Sequence, residues 1–430
     1  MIVLENGRVL DPASGVDAVR TVVIDGDKIA RIGAAGDRPA GATVIDCTGK
    51  WIVPGLIDLH VHLREPGEEY KETIETGARA AVAGGFTAVV SMPNTKPSID
   101  NATLVQFVRE RAAAAGLCRV YPAGAISKKQ EGKELAEIGD MRDAGAVAIT
   151  DDGKPVVDAG LMRRALEYAQ AFDLPVMVHE EEPSLARGVM HEGEVSTRLG
   201  LRGIPAAAES VMVQRDLSLL ELTGGRLHVA HVSVAESVRA IREAKKRGLA
   251  VTAEATPHHF ILTDEAVAAS EYSPNTKMNP PLRAAADVQA IREGLADGTI
   301  DAIATDHAPH SQLEKDDLEF DLASNGIVGL ETAVPLTLEL VREGVISPMR
   351  AVELLSAGPA RIFKLPGGQL AEGALADVTV IDPEVRWTVR AAQFRSKSRN
   401  TPFEGREVQG RAVVTVVGGR IVHGEGAGAR

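Results

Sequence analysis

The sequence predicts an α/β fold: a (β/α)8 barrel of the TIM type with a small composite β-sandwich domain from the N- and C-terminal segments. From about residue 52, short apolar runs alternate with helical stretches such as 70–83 and 102–115. The runs lie at 55–62, 88–92, 119–123, 146–150, 176–179, 227–231, 250–253 and 301–304. The connections are long enough for right-handed crossovers, so eight alternating β and α units favour a closed parallel barrel.

Both ends of the chain are rich in residues typical of β-strands. Thr21 to Ile24 is a β-branched run that leads into Asp25-Gly26, a dipeptide typical of hairpin turns. Similar runs return at 376–382 and 413–417. We therefore predict that residues 1–53 and 365–430 form one composite β domain beside a catalytic barrel at 54–364. Two separate β caps are the alternative.

Composition excludes several classes of protein. The 430 residues carry a net charge of −13, which argues against a general nucleic-acid binder. No apolar stretch reaches the roughly 18 residues needed to span a bilayer. The chain has only two cysteines, and its first residues lack the basic head and apolar stretch of a signal peptide. We therefore expect a cytoplasmic protein that binds neither nucleic acid nor membranes.

Two histidines, His60 and His62, occupy alternate positions near the C-terminal end of the first predicted barrel strand. Alternate residues of a strand project from the same face. The C-terminal end of a barrel strand faces the mouth where active sites gather. Because two hydrogen-bonded structural histidines also produce an H-x-H pair, this pair alone is a weak indication of a metal site.

The indication becomes stronger because four further predicted strands end in residues that bind metals. These residues are Asp151 and Asp152, His179, His231 and Asp306. Imidazole and carboxylate together suit Zn²⁺ or a related divalent ion, and the set is large enough for two ions and a bridging carboxylate. His228 lies three residues before His231, so we expect it on the opposite face of its strand, in a structural role.

Several polar residues beyond the strand ends are candidates for substrate binding. They are Arg64, Asn94, Asn279 and His310. Each alone is more often a turn or capping residue, and their shared location is what makes them candidates. Arg64 offers a planar guanidinium that suits a carboxylate. The charged segment 311–325 is either a mobile lid over the pocket or an ordinary solvated loop. His258 and His259, after the seventh strand, fit the pocket and a loop equally well.

Motifs spread over nearly the whole chain resemble those of a known family. They are P-G-L-I-D-L-H-V-H-L-R-E-P-G at 54–67, A-G-G-F-T-A-V-V-S-M-P-N-T at 83–95, T-D-D-G at 150–153, G-E-V at 193–195, H-V-S at 231–233, N-P-P-L-R at 279–283, A-T-D-H-A-P-H at 304–310 and S-K-S-R-N-T-P at 396–402. With them the sequence resembles the dihydroorotases of the amidohydrolase superfamily, in particular the bacterial type I group. The chain departs from many relatives at Ser324-Asn325-Gly326, where they have Pro-Phe before the glycine.

The resemblance implies a zinc-dependent hydrolase barrel and roles for individual residues. It implies that His60, His62 and Asp306 bind one Zn²⁺ and that His179 and His231 bind another, so one or, as we expect, two ions per chain. Many relatives bridge the ions with a carbamylated lysine, whereas type I dihydroorotases use an aspartate. Asp152 matches it by its spacing of 27 residues to His179; Asp151 and a carbamate on Lys154 are the alternatives. The residues that resemble the family's substrate contacts are His62, Arg64, Asn94, Asn279, His310, Asn325 and Gly326.

The activity that the resemblance implies is the reversible cyclisation of N-carbamoyl-L-aspartate to L-dihydroorotate in de novo pyrimidine (UMP) biosynthesis. A metal-bound hydroxide would attack the ring amide, with Asp306 as general acid and base. One alternative is a cyclic amidase of the hydantoinase, dihydropyrimidinase or allantoinase type. The other is a non-catalytic homologue that scaffolds aspartate transcarbamoylase. Besides the small-molecule substrate, a homodimer and an association with aspartate transcarbamoylase are the partners left open.

Overall fold

The N-terminal strands form one side of a sheet outside the barrel. In the computed structural model, which describes residues 1–34 and 39–424, these strands are β1 (Ile2–Asp11), β2 (Val16–Asp25), β3 (Lys28–Gly33), β4 (Thr43–Asp46) and β5 (Trp51–Pro54). β1, β2 and β3 are antiparallel neighbours, whereas β4 and β5 run parallel to β1. The predicted hairpin turn joins β2 to β3, and Gly26 has a φ of 57° there, a conformation that favours glycine.

The next strands are parallel and make up two arcs of a barrel. They are β6 (Leu56–Val61), β7 (Phe86–Ser91), β8 (Arg119–Pro122), β9 (Val176–Val178), the short pair β10 (Met190–His191) and β11 (Gly203–Ile204), then β12 (Leu227–Val229), β13 (Val251–Ala255) and β14 (Ala302–Ile303). One arc has the order β6-β7-β8 and the other β9-β12-β13-β14, while β10 and β11 pair apart from both. The order of strands in each arc therefore follows the chain.

Two local contacts close the arcs into a ring. The predicted fourth strand at 146–150 is too irregular for a continuous ladder, but Ile149 bridges to Gly124 on one side and to Val176 on the other. At the opposite junction, the backbone N–H of His62 donates to the carbonyl of His307 at 2.8 Å. These contacts complete eight parallel segments, which confirms the predicted (β/α)8 barrel.

Helices connect the barrel segments. They are α1 (Ile74–Gly84), α2 (Ala102–Ala115), α3 (Ile138–Ala144), α4 (Ala159–Gln170), α5 (Glu194–Leu199), α6 (Ala207–Thr223), α7 (Ala235–Lys246), α8 (Pro257–Ile261), α9 (Glu265–Ala269), α10 (Ala285–Asp297), α11 (Ala333–Arg342), α12 (Pro348–Val352) and α13 (Gly358–Phe363). The helix predicted at 70–83 begins later because the Thr73 side chain caps it by accepting from the Thr76 N–H. The helix predicted at 102–115 has those bounds.

The C-terminal strands return to the first sheet. They are β15 (Val378–Thr388), β16 (Glu407–Val417) and β17 (Arg420–Gly424), and β15 pairs antiparallel with β5. The resulting sheet has the order β17-β16-β15-β5-β1-β2-β3, with β4 on β1. A separate apolar cluster that includes Leu4, Ile24, Val380 and Val416 packs within it. Strands from both chain ends therefore share one sheet and one core, while the domain limits 1–53 and 365–430 stay a prediction.

Apolar side chains fill the barrel below its mouth. Ile57, Leu59, Val90 and Met177 project into this core, and Phe363 of α13 packs against it. Above this apolar core, the strands end in the residues that the sequence predicts as metal ligands. No helix among the described residues combines the length and the apolar character that a bilayer crossing requires.

An ion pair joins the barrel to the outer sheet and yields the first prediction. Arg119 of β8 donates from Nε and Nη2 to the Asp377 carboxylate at 2.7 and 3.2 Å, and the Gly418 N–H donates to the same carboxylate at 2.7 Å. We expect Asp377→Ala to lower the free energy of unfolding by about 1–3 kcal/mol, since it leaves three N–H donors without this acceptor. Urea denaturation measures this change.

A matched control is Asp143→Ala, which breaks the exposed ion pair with Arg142. Exposed ion pairs contribute between about 0 and 1 kcal/mol to the free energy of unfolding, so this variant should unfold at nearly the same urea concentration as the unchanged protein. Equal losses of stability in the two variants would contradict a role for Asp377 in holding the two parts together.

Candidate active site

All six predicted metal ligands meet at the mouth of the barrel. His60 lies on β6, and His62 follows directly after it. His179, His231 and Asp306 follow β9, β12 and β14, and Asp152 comes from the loop after Ile149. His231 and Asp306 have φ values of 31° and 47°, so the chain turns sharply where these side chains leave the strand ends. The structure thus brings together residues from five different segments.

The first half of the cluster joins two histidines to two aspartates. His60 Nε2 lies 3.1 Å from Asp152 Oδ1 and 3.5 Å from Asp306 Oδ1. His62 Nε2 lies 2.9 Å from Asp306 Oδ1 and 3.5 Å from Asp152 Oδ2. All four side chains are at most 10% exposed. The two ring nitrogens and the carboxylate oxygens therefore surround one small volume.

The second half shares Asp152 with the first. Asp152 Oδ1 lies 3.8 Å from His179 Nδ1 and 3.9 Å from His231 Nε2. These two ring nitrogens lie 2.9 Å from each other. The six ligands therefore form two adjacent groups with Asp152 between them, and two triads, His60-His62-Asp152 and Asp152-His179-His231, are compact enough to hold a metal ion.

The chemistry of these donors fits divalent cations. Among the described residues, buried His60 Nε2 and Asp152 Oδ1 have no hydrogen-bond partner although they face each other. Burial opposes ionisation of Asp152, but the surrounding imidazoles, His60 first, hold the pKa of its carboxyl well below the ordinary value. An ionised carboxylate among imidazole nitrogens is a donor set that suits Zn²⁺.

The neighbouring residue Asp151 is directed elsewhere. Its Oδ1 accepts from the N–H groups of Ile126 and Ser127 at 2.8 and 3.0 Å, and its Oδ2 accepts from the Ser127 hydroxyl. Lys154 is exposed and makes no part of either triad. Of the three bridging candidates from the sequence, only Asp152 contacts the histidines.

A cavity of about 190 Å³ opens beside the cluster. It is lined by His62, Arg64, Asn94, Asp152, Gly153, His179, His231, Asn279, Asp306, Ala308, His310, Asn325 and Gly326. Every residue that the sequence assigned to substrate binding is in this set. Ala308 and Gly153 were not predicted, because neither side chain carries a chemical signal. His258 and His259 are buried but do not line the cavity.

The cationic side of the cavity is built from Arg64 and its neighbours. Arg64 Nε donates to the Pro309 carbonyl at 3.1 Å, and Nη2 lies 3.4 Å from His310 Nε2. His310 Nε2 also lies 2.7 Å from the Asn325 carbonyl oxygen. Burial first, and then Arg64, lower the pKa of His310 to about 2. At neutral pH, His310 is therefore an uncharged hydrogen-bonding group beside a fixed cation.

The two predicted asparagines connect the cavity wall to the cluster. Asn94 Oδ1 lies 2.9 Å from His62 Nδ1, and its Nδ2 donates to Asp152 Oδ2 at 3.3 Å. Asn279 Nδ2 lies 3.3 Å from His179 Nε2. Each asparagine therefore orients a predicted ligand while its side chain faces the cavity.

The segment 311–325 is anchored by lysines that the sequence did not single out. Lys315 is fully buried, and its Nζ donates to the carbonyls of Lys277 and Ser324 at 3.1 and 2.8 Å. Lys277 Nζ donates to the carbonyls of Asp321 and Ala323 at 3.0 and 2.8 Å. The interpretation of this run as an ordinary solvated loop is therefore wrong for Lys315. Its Nζ is buried and hydrogen-bonds to backbone carbonyls instead of to water. Movement as a lid stays a prediction.

Buried carboxylates below the cluster were also missed. Asp58 accepts from the His60 N–H at 3.0 Å and from the Thr305 N–H and hydroxyl at 3.1 and 2.6 Å, and burial raises its pKa to about 7. Glu254 contacts both His60 and His228. A carboxylate within the apolar strand β13 is the signal that would have found Glu254.

The prediction that His228 faces away from the site is wrong. β12 ends at Val229, and the positive φ of His231 breaks the alternation on which that prediction depends. His228 Nε2 lies 3.1 Å from Glu254 Oε2, and its ring packs edge-on against Phe363 of the barrel core. His228 and His231 thus both project into the barrel, at different depths.

Comparisons with known proteins agree over the length of the chain. A family model described as "Dihydro-orotase-like" matches residues 49–237. A dihydroorotase of Anaeromyxobacter dehalogenans (strain 2CP-C) is 63% identical over 427 residues, which covers 99% of this chain and 98% of that protein. A dihydroorotase of Syntrophotalea carbinolica is 56% identical over 423 residues, covering 98% of this chain and 99% of that protein.

Solved structures share the fold. An L-hydantoinase (dihydropyrimidinase) from Arthrobacter aurescens matches with a TM-score of 0.88 at 27% identity and covers 100% of this chain and 97% of that chain. A D-hydantoinase (dihydropyrimidinase) from Thermus sp. matches with a TM-score of 0.83 at 27% identity and covers 100% of this chain and 96% of that chain. Both structures therefore share the fold of this chain over its whole length.

Proposed function

The chain belongs to the dihydroorotase family, and from this premise we propose that it catalyses the reversible ring closure of N-carbamoyl-L-aspartate to L-dihydroorotate. This reaction is a step of de novo pyrimidine biosynthesis. The identity of 63% to a dihydroorotase over 99% of the chain supports the activity. The observation that carries it is the cavity in which Arg64 faces the clustered histidines and aspartates. A cyclic amide that bears a carboxylate needs both a cationic contact and a hydrolytic centre.

The six ligands would hold two zinc ions. His60, His62 and Asp306 are the proposed ligands of one ion, His179 and His231 those of the other, and Asp152 the bridge between them. Bound divalent ions would supply a hydroxide nucleophile near neutral pH and polarise the amide carbonyl. The protein attaches the six ligands to the ends of five barrel segments, and His60 and His62 share one of them.

Asp306 is the proposed general acid and base. It lines the cavity, and its Oδ1 lies 2.9 Å from His62 Nε2, which orients the carboxylate. In the hydrolytic direction Asp306 accepts the proton of the attacking nucleophile and delivers it to the ring nitrogen as the C–N bond breaks. In the cyclisation direction Asp306 removes the proton of the carbamoyl nitrogen as the C–N bond forms, and it passes this proton to the carboxylate oxygen whose C–O bond breaks and which leaves as hydroxide.

The remaining lining residues would bind the substrate. Arg64 suits the carboxylate that distinguishes dihydroorotate from a neutral dihydropyrimidine. His310 lies beside Arg64, and Asn94 and Asn279 also line the cavity. His62 and the backbone of Asn325 and Gly326 complete the set that we propose as substrate contacts.

A substrate panel tests the activity against its rivals. Turnover of dihydroorotate, hydantoin and allantoin is measured on purified protein together with zinc per chain. We expect bound zinc and a strong preference for dihydroorotate. Faster turnover of hydantoin or allantoin would favour the cyclic amidase alternative. Folded protein without turnover would favour the scaffolding alternative, which co-purification with aspartate transcarbamoylase would test further. A cytoplasmic location and a homodimer stay proposals.

The bridging role of Asp152 leads to a paired prediction with Asp151. Asp152→Ala should lose bound zinc, as measured by metal analysis after gel filtration, while it keeps its fold. Asp151→Ala should keep its zinc, but its free energy of unfolding should fall by about 2 kcal/mol, since it leaves the N–H groups of Ile126 and Ser127 unpaired. The reverse pattern would make Asp151 the bridge.

The role of Arg64 predicts a specific loss of substrate affinity. We expect Arg64→Ala to raise KM for dihydroorotate by about 10- to 150-fold, the equivalent of about 1.5–3 kcal/mol for hydrogen bonds to a charged group. Steady-state kinetics on dihydroorotate measure the change. Arg64→Lys is the control, because it keeps the positive charge but loses the planar guanidinium. Its KM should lie between those of the unchanged protein and of Arg64→Ala. An unchanged KM would remove Arg64 from carboxylate binding.

The role of Asp306 predicts a loss in the chemical step. We expect Asp306→Ala to lower kcat by at least about 100-fold, because general acid–base catalysis contributes about 10²–10⁴. Rates are compared at equal zinc content per chain, since Asp306 is also a proposed ligand. A variant that keeps both its zinc and full activity would refute the assignment.

A further inference from the structure

A line of hydrogen bonds runs downward from the cluster into the barrel. His60 Nδ1 lies 2.8 Å from Glu254 Oε1, and Glu254 Oε2 lies 3.1 Å from His228 Nε2. His228 Nδ1 lies 2.8 Å from the Thr252 hydroxyl. His60, Glu254 and His228 are all fully buried. The line connects a predicted metal ligand to two strands, β12 and β13, that contribute polar groups deep below the mouth.

The β-strand register explains how this line is built. His228 and Thr252 are direct partners in the parallel pairing of β12 with β13. Thr252 and Glu254 are two residues apart on β13, so their side chains project from the same face. One face of two adjacent strands therefore presents Thr252, His228 and Glu254 in succession toward His60.

The hydrogen-bonding capacity of each group gives the line a direction. A carboxylate only accepts, so both imidazole nitrogens that face Glu254 donate to it. Thr252 Oγ1 lies 2.8 Å from His228 Nδ1 and so orients the ring from its other side. His228 then carries its proton on Nε2, and His60 carries its proton on Nδ1. The free lone pair of His60 is left on Nε2.

That lone pair lies on the side of the cluster. His60 Nε2 is 3.1 Å from Asp152 Oδ1 and has no hydrogen-bond partner among the described residues. The far ring nitrogens of two other predicted ligands contact amides instead: His62 Nδ1 lies by Asn94 Oδ1, and His179 Nε2 by Asn279 Nδ2. A carboxylate on the far nitrogen makes a histidine a more basic and better oriented ligand than an amide does.

We infer that Glu254, supported by His228 and Thr252, is a positioning residue that fixes the tautomer and orientation of His60 for metal binding. This inference rests on the proposed function, in that His60 must bind a metal ion. Among the described residues, the Glu254 side chain hydrogen-bonds to His60 and His228 and does not line the cavity, so its effect on the cluster passes through His60. The ion held by His60 and His62 should therefore depend on Glu254, whereas the ion held by His179 and His231 should not.

The test measures metal affinity in the full-length protein rather than activity. Zn²⁺ is titrated in competition with a chelator of known affinity, and the absorption spectrum of the Co²⁺-loaded protein is recorded. Glu254→Gln keeps the size of the side chain but replaces one carboxylate oxygen by an NH₂ group. That group cannot accept the hydrogen bond from the imidazole N–H that faces it. We expect it to weaken the affinity for one of two ions by about 10- to 100-fold and to change the Co²⁺ spectrum.

Two further variants complete the design. His228→Asn leaves Glu254 in place but removes the imidazole that hydrogen-bonds to it. It should therefore lower the affinity for the same ion by a smaller factor than Glu254→Gln does. Glu331→Gln is the matched control: Glu331 also accepts two hydrogen bonds, from the N–H groups of Arg395 and Ser396, and lies outside both triads. This control should bind both ions as the unchanged protein does.

The outcomes separate the inference from the proposed function. An unchanged protein that binds no Zn²⁺ would contradict the proposed function itself. If it binds two ions but folded Glu254→Gln does so with unaltered affinity, the positioning role is wrong. If Glu254→Gln does not fold, His228→Asn decides: weakened binding of one ion supports the role, and unaltered binding overturns it. An equal loss of affinity for both ions would also overturn the positioning role of Glu254.

Discussion

The carboxylate of Asp152 lies within reach of imidazole nitrogens from three separate barrel segments, at 3.1 Å from His60, 3.8 Å from His179 and 3.9 Å from His231. Three buried rings and one buried carboxylate are costly to bring together unless their polar atoms find partners. The arrangement becomes favourable when cations occupy the space between them, which is the proposed role of the cluster. The fold of the barrel mouth can be understood as the means of holding this carboxylate in place.

Closure of the barrel supplies the necessary rigidity. The first and last strands meet where His62 donates to the His307 carbonyl, and Asp58 connects the same strands through the His60 N–H and Thr305. His62 and Asp306, which follow these two strands, are thereby kept 2.9 Å apart. A cluster whose members are separated by more than 240 residues in sequence thus depends on a few backbone contacts at one seam.

The proposed substrate contacts are built differently from the proposed metal ligands. The proposed metal ligands are attached to strand ends, whereas Asn325 and Gly326 belong to a loop that Lys277 and Lys315 hold through backbone carbonyls. Loops carry specificity more readily than strands because their backbone tolerates change. Hydantoinases at 27% identity share the fold of this chain, and dihydroorotases are 56–63% identical to it.

Much of the fold and of the candidate site depends on short stretches of neighbouring residues and could be predicted from the sequence. Alternating apolar runs and helical stretches predicted the barrel because each segment forms from its own neighbours, and His60, His62, His179, His231 and Asp306 were found because each ends such a run. Tertiary structure decided the rest. The spacing to His179 favoured Asp152 and left Asp151 as an alternative, and only the contacts of Asp151 with Ile126 and Ser127 explain why Asp152 is the one that faces the histidines. His228, Glu254 and Lys315 resembled ordinary strand or loop residues, because a buried polar group is defined by its partners, and those partners lie on other segments of the chain.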